Sequence, residues 1–375
     1  MPRGVALPST EQEVASLLQQ AAAAGKVVIP WGAGTKQDYG SPLSRADLVV
    51  SLERLKEVVE YVPADMTITV QAGMRLADLQ ALTAKRGQTF PLDPPRSAQA
   101  TVGGVVATAS SGPRRAAYGG VRDLVLGVRL ALPNGRVIRA GGKVVKNVAG
   151  YDLTRLVIGS LGTLGIVTEV SLRLRPLPAD TRTLLYGFRD AERAVGAAET
   201  VLGSELLPAA ITLLSPEAAR RLEAPGAYCL ALALEESPEN NAYQVQRLAQ
   251  IVQGQDGAST IAGAGEAAFW DSLTNFDQRF GASWRARVSA LIGDLPRLLR
   301  GTALAHVASG MVLLYGFGEE EGFPEQAVLE SGPVPLRRRV NVWGEARPEW
   351  RLAERIKQTF DPGRVLNRGR YVGGI

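Results

Sequence analysis

Between Ser97 and Gly112 the chain offers almost no side chain to fold with. Apart from Gln99 and three valines, Val102, Val105 and Val106, every residue of SAQATVGGVVATASSG is Ser, Ala, Thr or Gly. Such a stretch builds no core of its own. It lets backbone come close to something else, because Gly carries no Cβ and Ala only a methyl group. From Ala98 to Gly112 there is no acid. Successive exposed N–H donors without a carboxylate beside them make a seat for an oxyanion such as a pyrophosphate. A glycine-rich packing interface without a ligand would read the same from this run alone.

A second stretch has the same character. Val27-Val28-Ile29 is a short buried-strand pattern that stops at Pro30, and Gly32-Ala33-Gly34-Thr35 follows at once. A strand ending in a Gly-rich turn presents backbone to phosphate, although the third glycine of the dinucleotide fingerprint is missing here. An ordinary tight turn has the same signature.

The chain has 375 residues, too many for one ordinary core, which implies two or three domains. Its 46% hydrophobic and 21% charged residues are globular proportions. The net charge of +5 comes from 42 basic and 37 acidic residues, a mild attraction for anions without a dense basic tract, so nucleic acid is not the expected partner. With one cysteine, Cys229, the chain makes no internal disulfide and ligates no iron–sulfur cluster; YCLALAL around it reads as a buried strand. No charged start followed by an apolar stretch marks a secretory signal, and no apolar run approaches the ~18–20 residues of a membrane span. The expected location is the cytoplasm, peripheral at the inner membrane through partners.

Periodicity outlines the elements. Thr10 to Glu13 fits a capping box opening a helix with Val14, Leu17, Leu18 and Ala21 on one face and Gly25 as its stop. Leu48–Leu52 and Thr67–Ala72 read as strands, and Leu76–Lys85 as a helix closed by Gly87. Leu124 to Ala140 alternates around Pro133-Asn134-Gly135 as a hairpin, and Ile166 to Leu174 as a half-buried strand. Pro176 and Pro178 end this block. From Thr181 short strands alternate with helical segments, an antiparallel sheet covered by helices on one side. Phe323–Pro335 reads as a surface loop. The tail Val365–Arg370 is expected to return to the first domain.

Six motifs in order, PWGAGTK at Pro30–Lys36, PLDP at Pro91–Pro94, TVGG at Thr101–Gly104, YGGVRD at Tyr118–Asp123, GYDLTRL at Gly150–Leu156 and GSLGTLGIVTE at Gly159–Glu169, together with FDPGRVLNRGR at Phe360–Arg370, make the chain resemble the vanillyl-alcohol oxidase/p-cresol methylhydroxylase superfamily of FAD-binding proteins. Within it the chain is similar to the short FAD-binding E-type subunit of the glycolate oxidase group. The resemblance implies an α+β fold. Its first part is a two-subdomain FAD-binding domain over 1–178, with subdomains of about 1–55 and 56–178. A second α+β domain with an antiparallel sheet would cover 179–345, and 346–375 would return to the first. It further implies that Trp31, Gly32, Ala33, Gly34 and Thr35, with Ala98, Thr101, Val102, Gly103, Gly104, Ala107, Thr108 and Gly112, flank the pyrophosphate and ribose. Pro91 and Asp93 would shape that wall. Tyr118, Gly119, Asp123, Gly162, Gly165 and Ile166 would approach the adenine and isoalloxazine, and Asn367 the flavin's redox end.

The position before the small-residue run, where relatives tether their flavin, holds neither His nor Cys, so FAD is expected to be non-covalent. Relatives that oxidise 2-hydroxy acids carry a histidine-rich signature in the second domain. This chain has one histidine, His306, and no GDGN motif, so it has no His-based metal site. What remains is Arg285 and Arg287, two residues apart on one strand face. They are either a bidentate grip on a substrate carboxylate, with His306 as base, or members of a salt-bridged strand. Arg337-Arg338-Arg339 reads as an exposed turn or a docking surface for an acidic partner. The resemblance implies a subunit working beside a sister FAD-containing catalytic subunit and an iron–sulfur subunit, on a small 2-hydroxy acid. Two rivals stand: a self-sufficient flavin dehydrogenase, and a structural subunit with a vestigial flavin site.

Overall fold

The computed structural model describes residues 4–142, 152–318, 323–324 and 326–375. It divides into two compact units. One comprises Met1–Ser111, Gly120–Leu177 and Arg337–Ile375, the other Gly112–Gly119 and Pro178–Leu336. The excursion of Gly112–Gly119 into the second unit has no sign in the sequence, because so few residues carry no boundary of composition.

The first unit holds a parallel three-stranded sheet in the order Gly4–Ala6, Leu48–Ser51, Val28–Trp31. Beside it is an antiparallel five-stranded sheet in the order Val58–Val62, Thr67–Gln71, Ile166–Arg173, Val125–Ala131, Val137–Gly141. The helix Glu11–Ala23 starts as expected: Thr10 Oγ1 accepts from Glu13 N at 3.1 Å. The Glu13 carboxylate reaches back one residue further than the strict box, to Ser9 N at 2.8 Å. Such a cap contributes about 1 kcal/mol. The hairpin turns at Gly135, with φ +80.

Two local readings change. The strand Ile166–Arg173 is buried over most of both faces rather than one, Val167 and Ser171 included; Thr168, on the face of Ile166 and Val170, donates through Oγ1 to the Glu11 carboxylate of the first helix at 3.2 Å. The small-residue run is not bare loop. Thr101 caps a helix, Val102–Thr108, and Ala109 at φ +50 ends it. Val102, Val105 and Val106 stand at i, i+3 and i+4, the helical spacing, and all three are buried in the core of this unit. The tail joins the parallel sheet: Val28 N donates to Val365 O at 2.7 Å, and Asn367 N to Val28 O at 2.9 Å.

The second unit is an eight-stranded, wholly antiparallel sheet. Its order is Gly257–Ile261, Asp180–Phe188, Tyr228–Glu236, Ala210–Leu214, Ala303–His306, Met311–Gly316, Trp284–Ser289, Val328–Ser331. Cys229, Ala231 and Ala233 pack with Phe269, Trp270, Leu273 and Phe276 from the helical stretch 264–280. The alternate residues Leu230, Leu232 and Leu234 are equally buried on the opposite face. Cover therefore lies on both faces, not on one side. The expected surface loop Phe323–Pro335 contains the edge strand Val328–Ser331.

Candidate functional site

A cavity of about 90 Å³ lies within the first unit. Four segments and Leu52 line it: the loop from Pro30 to Tyr39, the helix Val102–Thr108 with its cap, the stretch from Leu161 to Val167, and the tail at Asn367 and Arg370. Trp31, Gly32, Ala33, Gly34, Thr35, Thr101, Gly103, Gly104, Ala107, Thr108, Gly162, Gly165, Ile166 and Asn367, separated by hundreds of positions, meet around it. A wider groove of about 570 Å³ shares Gly32, Ala33 and Thr101 and is edged by Arg54, Lys56 and Arg75 with the acids Glu53 and Asp78.

The two halves of the expected oxyanion seat differ. The amides of Gly32, Ala33, Gly34 and Thr35 make no hydrogen bond among the described residues. Those that open the helix of the small-residue run are spent: Val102 N donates to Met74 O and Gly103 N to Ala72 O, each at 2.8 Å, and Gly104 N to Thr101 Oγ1 at 3.2 Å. Gly103 is required by packing, since a Cβ there would stand 2.6 Å from Ala72 Cβ. The helix thus supplies wall, and the Gly32–Thr35 loop supplies free donors. Arg96 holds that loop from behind, Nη1 donating to Thr35 O at 2.8 Å.

Asn367 sits in left-handed backbone at φ +43 and faces Leu161, itself at φ +52. Its Nδ2 donates to Leu161 O at 2.6 Å, while its buried Oδ1 has no partner among the described residues. Two non-glycine residues in that region cost on the order of 1 kcal/mol or more each, and such strain collects at ligand sites. Lys357, completely buried, ties the same segments together: Nζ donates to Thr163 O at 2.7 Å, to Leu366 O at 3.0 Å and to Asp361 Oδ2 at 2.7 Å. Lys357, Arg96 and Arg370 carry no motif signal of their own, because their roles are bonds to backbone carbonyls far away in sequence.

Other nominated residues lie off the cavity lining. Val102 is core, Pro91 is buried, Asp93 is half-buried and Ala98 is exposed. Asp123 Oδ2 accepts from Gly120 N at 2.8 Å and so caps a short turn of helix. Gly112, Tyr118 and Gly119 belong to the second unit, where Tyr118 Oη donates to Glu235 at 2.8 Å. Gly150 and Tyr151 of GYDLTRL lie outside the described residues.

In the second unit protein carboxylates hold both candidate arginines. Arg285, 2% exposed, pairs with Asp277 at 3.4 Å and Glu330 at 3.3 Å, and Arg287 with Glu330 at 2.9 Å. His306 is 4% exposed, its Nδ1 3.0 Å from Thr212 Oγ1, and burial pushes its pKa down to about 4. The imidazole is therefore neutral at neutral pH. A folded pKa below the unfolded ~6.5 means that stability is full above pH 6.5 and is lost as pH falls through about 4. His306→Leu should flatten the stability profile across that window, by on the order of 3 kcal/mol. Urea unfolding at several pH values measures it, and an unchanged slope would show that this ring does titrate in the fold.

Among the described residues no group of three His, Cys, Asp or Glu side chains is placed to hold a metal ion. Comparison with known proteins gives three results. The family model of the FAD-binding domain matches residues 2–141. The glycolate oxidase subunit GlcE of Escherichia coli is 31% identical over 348 residues, covering 90% of this chain and 91% of that one; the glycolate oxidase subunit GlcD of Bacillus subtilis is 35% identical over 214 residues, or 57% of this chain. The chain spans less than half of GlcD, 46% of its length. In structure, p-cresol methylhydroxylase superposes with a TM-score of 0.75 at 15% identity, covering 98% of this chain and 88% of that one.

Proposed function

Since the chain belongs to the family of the glycolate oxidase subunit GlcE and carries an FAD-binding domain, we propose that it is the FAD-holding subunit of a glycolate oxidase-type complex. The observation that carries this reading is the cavity of the first unit. Its four free amides suit an oxyanion, its orphaned Asn367 Oδ1 requires an N–H or O–H donor, and Gly104 leaves one wall open. A dinucleotide with a pyrophosphate and a hydrogen-bonding ring meets all three demands.

Attachment is non-covalent. The chain's one histidine and one cysteine both belong to the second unit, and both are buried there. Oxidation of a 2-hydroxy acid to the 2-oxo acid takes a hydride from C2 and a proton from the hydroxyl, and FAD, when bound here, would supply a redox centre for the electrons. What the protein contributes is position: the Gly32–Thr35 amides hold, Asn367 orients, and the helix Val102–Thr108 closes one side. The oxidation itself falls to a sister FAD-containing catalytic subunit, this flavin takes part only with it or relays its electrons, and they pass on to an iron–sulfur subunit, since this chain with one cysteine builds no such cluster. The proposed location is the cytoplasm, peripheral at the inner membrane through those partners; no helix of the described residues is long and apolar enough to cross a membrane.

A second reading, in which this chain oxidises substrate alone, needs an accessible carboxylate grip and a base. Arg285, Arg287 and His306 are the candidates for it, and each is already bonded within the protein. The anaerobic absorbance spectrum, recorded before and after glycolate, separates the readings. A flavin spectrum that stays oxidised until the partner subunits are added is the expected result. Bleaching of the isolated chain would establish the self-sufficient dehydrogenase, and a chain that takes up no added FAD would overturn both.

A further inference from the structure

Two guanidinium groups lie buried close together in the first unit, neither in an ion pair with a described residue. Arg337, expected to be exposed, is 7% exposed, and its Nε and Nη2 donate to Gly40 O at 3.1 and 2.6 Å. Arg370 is 5% exposed. Its Nη1 donates to Gln37 O at 3.0 Å and Tyr39 O at 3.1 Å, and its Nη2 to Gln37 Oε1 at 3.0 Å. Every one of these acceptors is neutral. Neither arginine forms an ion pair with a described residue, and Asp38 reaches them only through its field.

Unpaired buried charge is costly, and a site that keeps it supplies an opposite charge from elsewhere. Arg370 also shows where. Its Nε is buried and has no hydrogen-bond partner, and Arg370 lines the cavity beside Lys36 and the free amides of Gly32–Thr35. At about 90 Å³ the cavity suits the oxyanion part of a larger ligand, and the groove that shares Gly32, Ala33 and Thr101 with it leaves room for the rest. Burial and the neighbouring Arg337 together push the Arg370 pKa down to about 10, the response of a cation that lacks its partner. The C-terminal segment is locked in place for this role: Trp343 Nε1 and Ser41 N both donate to Arg370 O, at 3.2 and 2.9 Å, and Trp343 packs edge-on against Tyr371.

We propose that Arg370 is a phosphate-binding residue of the cavity. Its Nε donates to an oxyanion that the Gly32–Thr35 amides hold from the other side, and Arg337 acts behind it as a second positive charge. The oxyanion is the pyrophosphate of the cofactor. That last assignment rests on the proposed FAD site; the anion site itself does not.

The test uses the full chain stripped of flavin, with Arg370→Gln and Arg370→Lys. Inorganic pyrophosphate should raise the melting temperature of the wild type and leave both variants unmoved, since lysine keeps the charge but not the Nε donor. FAD affinity should fall about ten- to a hundredfold in the variants, while the affinity for riboflavin, which has no phosphate, stays the same. Equal pyrophosphate shifts in all three proteins, or none in the wild type, would overturn the anion site whether or not flavin binds. A pyrophosphate shift that depends on Arg370, with FAD and riboflavin affinities both unchanged, would overturn the cofactor as its source and leave a free oxyanion. Parallel loss of FAD and riboflavin would reduce Arg370 to a support for the loop. Wild-type protein that binds no flavin would remove the proposed function, and the pyrophosphate arm would still decide the site.

Discussion

Gly104→Val should give a folded protein that purifies without flavin. Residue 104 stands in the helix Val102–Thr108, on the face that lines the cavity. A Cβ there meets a single heavy atom within 4 Å, Thr101 Oγ1 at 3.0 Å, so the polypeptide tolerates a side chain with a small shift of one hydroxyl. Helix propensity moves in favour of valine by a few tenths of a kcal/mol. The two added methyl groups instead point into a space of about 90 Å³ and deny it to a ligand. Gly103→Val, one position away, should do the opposite. Its Cβ would stand 2.6 Å from Ala72 Cβ and 2.9 Å from Ala72 O, which is overpacking against backbone, with a cost of ~1–3 kcal/mol or more. Flavin absorbance together with a melting curve distinguishes the two variants. A yellow, folded Gly104→Val protein would mean that the cofactor does not use this wall.

The second large effect is expected at Lys357. Its ammonium and the Asp361 carboxylate are both completely buried, 2.7 Å apart. Asp361 also accepts from Val365 N at 2.9 Å and Leu366 N at 2.8 Å, so one ion pair closes the turn that returns the tail to the sheet. Lys357→Met keeps the length of the side chain but leaves the carboxylate without its cation and the carbonyls of Thr163 and Leu366 without a donor. Breaking one side of such a pair costs about 3–5 kcal/mol. The urea midpoint should fall accordingly, and flavin retention with it, because Leu161, Gly162 and Asn367 lose their common anchor. Adding Asp361→Asn should recover part of the loss, since no unpaired charge then remains buried. An unchanged midpoint in Lys357→Met would show that the pair is dispensable.

The regular elements of the first unit were legible because they obey local rules: a cap at Thr10, a turn at Asn134-Gly135, alternation after Ile166. The helix at Val102–Thr108 was hidden although its valines have helical spacing, because so many small neighbours read as loop. The lining of the cavity was legible where it is glycine-rich and illegible where it is Arg96, Lys357 or Arg370. Arginine and lysine are ordinary surface residues, and only a buried carbonyl across the fold gives them a role.

By itself the sequence determined which segments are bare enough to bring backbone to the cavity wall, the absence of cysteine and histidine from the first unit, and the alternation that builds the sheets. Each of these depends on residue type and near neighbours alone. Tertiary structure decided which amides of the two glycine-rich segments stay free. Met74 O and Ala72 O take two donors of one, no described residue takes those of Gly32–Thr35, and that is a matter of which carbonyls the fold brings within 3 Å. It decided likewise that Arg285 and Arg287 meet Glu330, and that Arg370 keeps one donor unspent. Such pairings span long separations along the chain, where no periodicity reaches and only the packing sets the distance.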